Sequence, residues 1–91
     1  MLPINILQSL IQNNKHMITA YHQWIEDDIY WLKNCEYITK DESIIKSQRN
    51  VLANNRKGLA KLVRNQKVLK AELRKAYALE ELHKWIMEEY E

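Results

Sequence analysis

Apolar residues recur along this chain in alternating steps of three and four, the spacing that keeps side chains on one face of an α-helix. The pattern is clearest between Ile44 and Ala76. Ile45, Leu52, Leu59, Gln66 and Leu73 hold one seam position, and Gln48, Asn55, Leu62, Leu69 and Ala76 hold the other. A second repeat occupies the N-terminal part. Ile4, Ile11, Ile18, Ile25 and Leu32 alternate with Leu7, Asn14, Tyr21, Asp28 and Cys35, and a flanking line of Leu10, Met17, Trp24, Trp31 and Ile38 is apolar as well.

The two repeats predict two long helices in one domain spanning the chain. The first begins at Pro3, a residue favoured in the first helical turn because its missing N–H has no helical partner there. It runs to about residue 38, a turn covers about 39–42, and the second helix runs over about 43–89. In the turn, Thr39 and Glu42 have the spacing of a capping box, with Asp41 and Ser43 as competing N-caps. The segment Asn54-Asn55-Arg56-Lys57-Gly58 is the one credible break, since glycine costs about 1 kcal/mol inside a helix relative to alanine. A break there gives a three-helix bundle. The seam keeps its phase across the segment, which favours a continuous helix.

A short connection makes long helices antiparallel neighbours, so the expected fold is all-α, a coiled-coil-like hairpin. Facing residue numbers then add to about 80, which sets Cys35 by Ile45, Asp28 by Leu52, Tyr21 by Leu59, Ile18 by Leu62 and Ile4 by Ala76. The same register places Asn14 opposite Gln66. Buried Asp28 needs a partner, and Arg49 or Arg56 on the facing helix is the expected one. Two helices cannot cover both the seam and the Leu10/Met17/Trp24/Trp31/Ile38 line. Residues 77–91, with Leu79, Leu82, Trp85, Ile86 and Tyr90 at helical spacing, extend beyond the start of the first helix. A second copy completing a four-helix bundle, or a foreign protein, is expected to cover these surfaces.

Charge sharpens the picture. The 91 residues carry a net +2, but residues 1–39 hold −2, residues 40–75 hold +8 and residues 76–91 hold −4. The positive block lies on the outward positions of the second helix: Arg56, Lys57, Lys61, Arg64, Lys67, Lys70, Arg74 and Lys75 are candidate contacts for a nucleic acid or an acidic protein surface. Their spread around the helix suits backbone phosphate more than base readout. Leu10, Met17, Trp24, Trp31 and Trp85 are the candidate apolar interface, since tryptophan is enriched where interfaces are strongest.

Chemistry offers less. Glu80-Glu81-Leu82-His83 contains a Glu-x-x-His step, and His22 shares a face with Glu26, but neither assembles enough ligands for a metal site. His16 has no ligand neighbour at helical spacing. Cys35 sits on a seam position without a base beside it and reads as a packed thiol. The single glycine excludes a phosphate-cradling loop. No enzyme activity and no cofactor is expected. The chain has no apolar run of membrane-spanning length, its first residues lack a basic leader, and its one cysteine suits a reducing compartment, so a cytoplasmic location is expected. These features describe a small adaptor or inhibitor docking a larger, nucleic-acid-handling protein. The lack of catalytic motifs and the Ile/Lys/Asn-rich composition also suit a phage or mobile-element modulator of a host complex. The alternative is direct, low-specificity nucleic-acid binding by a basic helical dimer.

Overall fold

In the computed structural model, which describes residues 2–35 and 39–90, two long helices lie side by side. Helix α1 spans Ile4–Lys33 and α2 spans Glu42–Tyr90. There is no strand among the described residues. The molecule is an all-α hairpin drawn out into a rod of 76 × 15 × 14 Å. No helix among the described residues is long and apolar enough to cross a membrane.

Helix α1 starts where the proline predicts. The Leu7 amide donates to the Pro3 carbonyl at 3.0 Å, and Pro3 has no side-chain cap. The continuous helix is interrupted at Asn34. Asn34 closes it by turning its carboxamide back to donate to the Tyr30 carbonyl at 2.7 Å, while its backbone amide donates to Tyr30 and Trp31. A short amide side chain that answers the last free carbonyls competes with continued helix. The break is local: Cys35 is helical again and its carbonyl accepts the Thr39 amide at 2.8 Å, while residues 36–38, where the expected helix end falls, lie outside the described residues.

The turn is capped by a different residue than the capping box predicts. The Asp41 carboxylate accepts the Ser43 amide at 2.9 Å and the Ser43 hydroxyl at 2.7 Å, so Asp41 is the N-cap of α2. Thr39 sits one step earlier, its hydroxyl accepting the Asp41 amide at 3.1 Å. An aspartate directly before the first helical residue is an ideal acceptor for the second helical amide, and it displaces the box. These bonds to Ser43, the hydroxyl's first, hold the Asp41 carboxyl below the usual carboxylate range.

Helix α2 is unbroken through Gly58. Gly58 serves packing: a Cβ at this position would lie 2.7 Å from Tyr21 Cε1 and 2.9 Å from its Cζ and hydroxyl oxygen. The missing side chain admits the tyrosine ring against the backbone of α2. The ring in turn meets Trp24 edge-on, with centroids 4.9 Å apart.

The predicted register is the one observed. The Asn14 carboxamide donates to the Gln66 side-chain oxygen Oε1 at 3.0 Å and to the Leu62 backbone carbonyl at 3.0 Å, and the Gln66 carboxamide donates to the Ile11 backbone carbonyl at 3.1 Å. Asp28 does not find a base. It accepts from Gln48 at 2.7 Å and Asn55 at 2.8 Å, the seam residues one turn to either side of Leu52. Arg49 and Arg56 are exposed instead. They lie on outward positions, whereas Gln48 and Asn55 face the seam, so the amides are nearer and shorter donors. These polar clamps at two levels fix the stagger of the helices.

The core between the helices is thin. Leu7, Leu52 and Ala76 are the buried apolar residues, with Asp28 and Gln66 the buried polar ones, among the described residues.

Candidate functional site

The hairpin has two unlike flanks. On each helix, one line of residues immediately precedes a seam position. On α1 this line is Leu10, Met17, Trp24 and Trp31; on α2 it is Ile44, Val51, Gly58, Asn65, Glu72, Leu79 and Ile86. In an antiparallel pair the two lines share a flank, and the coordinates place Leu10, Asn13, Asn14 and Met17 of α1 with Asn65, Val68 and Leu69 of α2 around one groove of about 420 Å³. The groove walls are aliphatic and the three asparagines supply its polar edge. Toward the turn the same flank carries Trp24, Val51 and Ile44, all exposed, and half-buried Trp31.

Of the apolar line expected on this flank, Leu10, Met17 and Trp24 are exposed and Trp31 is half-buried, while Ile38 lies outside the described residues. Trp24 is 45% exposed and Met17 44%. Leaving large side chains in water forfeits about 1.5–3 kcal/mol each relative to full burial, and a continuous exposed line of them marks a contact surface.

On the opposite flank Gln8 donates to the Tyr77 hydroxyl at 2.6 Å. This flank and the back of α2 carry most of the positive charge. Arg49, Arg56 and Lys70 follow the seam there, and Lys46, Lys57, Arg64, Lys67 and Arg74 line the back. Lys61 and Lys75 lie on the groove side, next to Val68. All eight candidate basic residues are exposed. Among the described residues there is one ion pair, Lys75 with Glu72 at 3.5 Å on the surface, so the positive band has almost no internal counter-charge. Like-charged neighbours such as Lys57 and Lys61 oppose helix formation until an anion screens them.

Trp85, the fifth candidate of the apolar interface, stands apart from the others. It is 60% exposed on the part of α2 beyond the start of α1, about 100° around the helix from Ile86. Sequence spacing joins it to the overhang, and the hairpin separates that overhang from Trp24 and Trp31.

Among the described residues no group of three His, Cys, Asp or Glu side chains is placed to hold a metal ion. Glu80 with His83, and His22 with Glu26, are exposed pairs on single helix faces. Cys35 is a half-buried free thiol. The groove was not legible in the sequence by itself, because its two walls come from segments nearly fifty positions apart. Val68 was the available signal, an aliphatic residue off the seam inside the basic block.

Compared with known proteins, the chain matches no family model, no curated protein and no solved structure.

Proposed function

We propose that this chain is a small non-enzymatic interaction module, an adaptor or inhibitor, that docks a larger protein engaged with nucleic acid. The apolar flank around Trp24 and Trp31 supplies the contact area, and the basic band matches an acidic or phosphate-bearing surface beside it. The observation that carries this reading is the separation of the two features. A thin-cored rod leaves the apolar line of Leu10, Met17 and Trp24 open on one flank and unpaired cations on the other flank and the back. Large aromatic side chains supply contact energy, and surrounding charge supplies steering and selectivity.

The test uses immobilised full-length chain against extract of the native host. Wild-type protein should retain a nucleic-acid-handling protein, and the Trp24→Ala/Trp31→Ala variant should lose it with helical content unchanged. Equal retention by both variants sinks the docking role of the flank.

A second reading, direct binding of nucleic acid, draws on the same unpaired cations. It requires that a mixed-sequence duplex be shifted at low salt, with affinity falling steeply as salt rises. Arg56→Glu with Lys57→Glu should abolish such a shift, and no shift by wild-type protein removes the reading.

A further inference from the structure

The C-terminal overhang is the part of the molecule its own hairpin explains least. Ala76 is the last buried residue among the described ones, and every residue from Tyr77 to Glu89 is exposed. Beyond the Gln8–Tyr77 hydrogen bond the overhang is held as the continuation of α2, with no buried side chain among the described residues to support it. Its charge is also placed against it. Glu88 and Glu89 stand near the end of α2, where no basic residue occurs in the last turn and the helix dipole disfavours anions.

The apolar face of this segment does not continue the intramolecular seam. Past Ala76 the next seam positions are Glu80 and His83. The aliphatic residues shift to Leu79, Leu82 and Ile86, which lie on the same side of α2 as Asn65 and Val68 in the groove. The overhang is therefore built to pack sideways, on the flank where the groove opens.

The groove offers what the overhang lacks. On the groove side its α2 wall carries Lys61 and Lys75 with Glu72 between them, a net +1, and the other cations of residues 61–75 lie on the back and the opposite flank. On the overhang, Glu80, Glu81, Glu88 and Glu89 against Lys84 give −3 over residues 77–90. The segments are of nearly equal length. Glu80 and Glu89 border the aliphatic line of the overhang, and Lys61 and Lys75 border Val68 in the groove.

We propose that the occupant of this groove is the overhang of a second copy. Two chains cross antiparallel about a two-fold axis near Ala76, each laying residues 77–90 along residues 61–75 of the other. Each copy gives one overhang and receives one, so the contact closes on itself as an isologous interface does. Leu79, Leu82 and Ile86 cover Leu10, Met17 and Val68, while Glu89 meets Lys61 and Glu80 meets Lys75 of the facing copy. This inference rests on the reading of the apolar flank as a docking surface. It divides that flank, leaving Trp24 and Trp31 free for the larger protein.

Sedimentation equilibrium of the full-length chain tests it. Wild-type protein should be a dimer at micromolar concentration, and its association should weaken as salt rises. Leu82→Glu should weaken association by about tenfold or more with helical content intact, since Leu82 has no role inside the hairpin. Glu80→Lys/Glu89→Lys and Lys61→Glu/Lys75→Glu should each be monomeric, and an equimolar mixture of the two should form heterodimers. A monomeric wild type overturns the proposal. So does a dimer that survives Leu82→Glu and separates on Trp24→Ala, which would put the second copy on the tryptophan line. Retention of a host protein lost with Trp24→Ala/Trp31→Ala tests the docking reading separately, because those residues lie outside the proposed dimer contact.

Discussion

Gly58 shows how a single residue reverses meaning between sequence and structure. As a helix-interior glycine it weakens α2 by about 1 kcal/mol relative to alanine. As a neighbour of Tyr21 it provides the space that lets the ring lie against the helix. Overpacking a fitted contact costs about 1–3 kcal/mol, more than the propensity gained. Gly58→Ala should therefore lower stability by about 1 kcal/mol in the wild-type background, by difference of these two effects. In a Tyr21→Ala background the same change should stabilise, because only the propensity remains. Chemical denaturation of the four proteins of this cycle reads both signs, and stabilisation in both backgrounds would show that the ring accommodates a methyl group freely.

At the scale of the element, the start of α2 depends on one carboxylate. Hydrogen bonds from the Ser43 hydroxyl and amide lower the Asp41 pKa in the folded chain. The folded state therefore binds this proton less readily than the unfolded state. The cap contribution is fully present above the unfolded carboxylate value of about 3.9 and is lost as pH falls through the lower folded value. Asp41→Ala should lower the thermal midpoint at neutral pH, and the gap to wild type should shrink in acid. Asn, which also caps helices, should keep most of the stability at neutral pH without that acid dependence. A gap between wild type and Asp41→Ala that stays constant down to strongly acidic pH would assign the stabilisation to something other than the charged cap.

At the scale of the whole molecule, the rod has too little core for its length. Leu7, Leu52 and Ala76 are buried in a chain whose Trp24, Val68 and overhang stand in water. Small domains bury a low fraction of their surface and commonly add a partner to become stable. If association completes the fold, stability must depend on concentration, by about 1.4 kcal/mol for each tenfold change in a folded dimer that unfolds to monomers. The thermal midpoint of wild-type protein should rise accordingly on concentration. A midpoint that does not move across two orders of magnitude would show that the single hairpin is self-sufficient.

What the sequence determined by itself is the local periodic part. Alternating three- and four-residue steps specify two helices, and a short connection between them specifies antiparallel packing. The pairing of Asn14 with Gln66 was readable because a seam tolerates a polar residue best when it faces another. Tertiary structure decided what depends on distance and direction across the hairpin. It gave Asp28 two amides in place of an arginine, because seam residues reach the seam and outward residues do not. It gave Gly58 a ring to accommodate, and it joined Leu10 and Met17 to Val68 in one groove. Periodicity places a residue on a face of its own helix. Which flanks meet, and what remains open to water, is settled only when the second helix is in place.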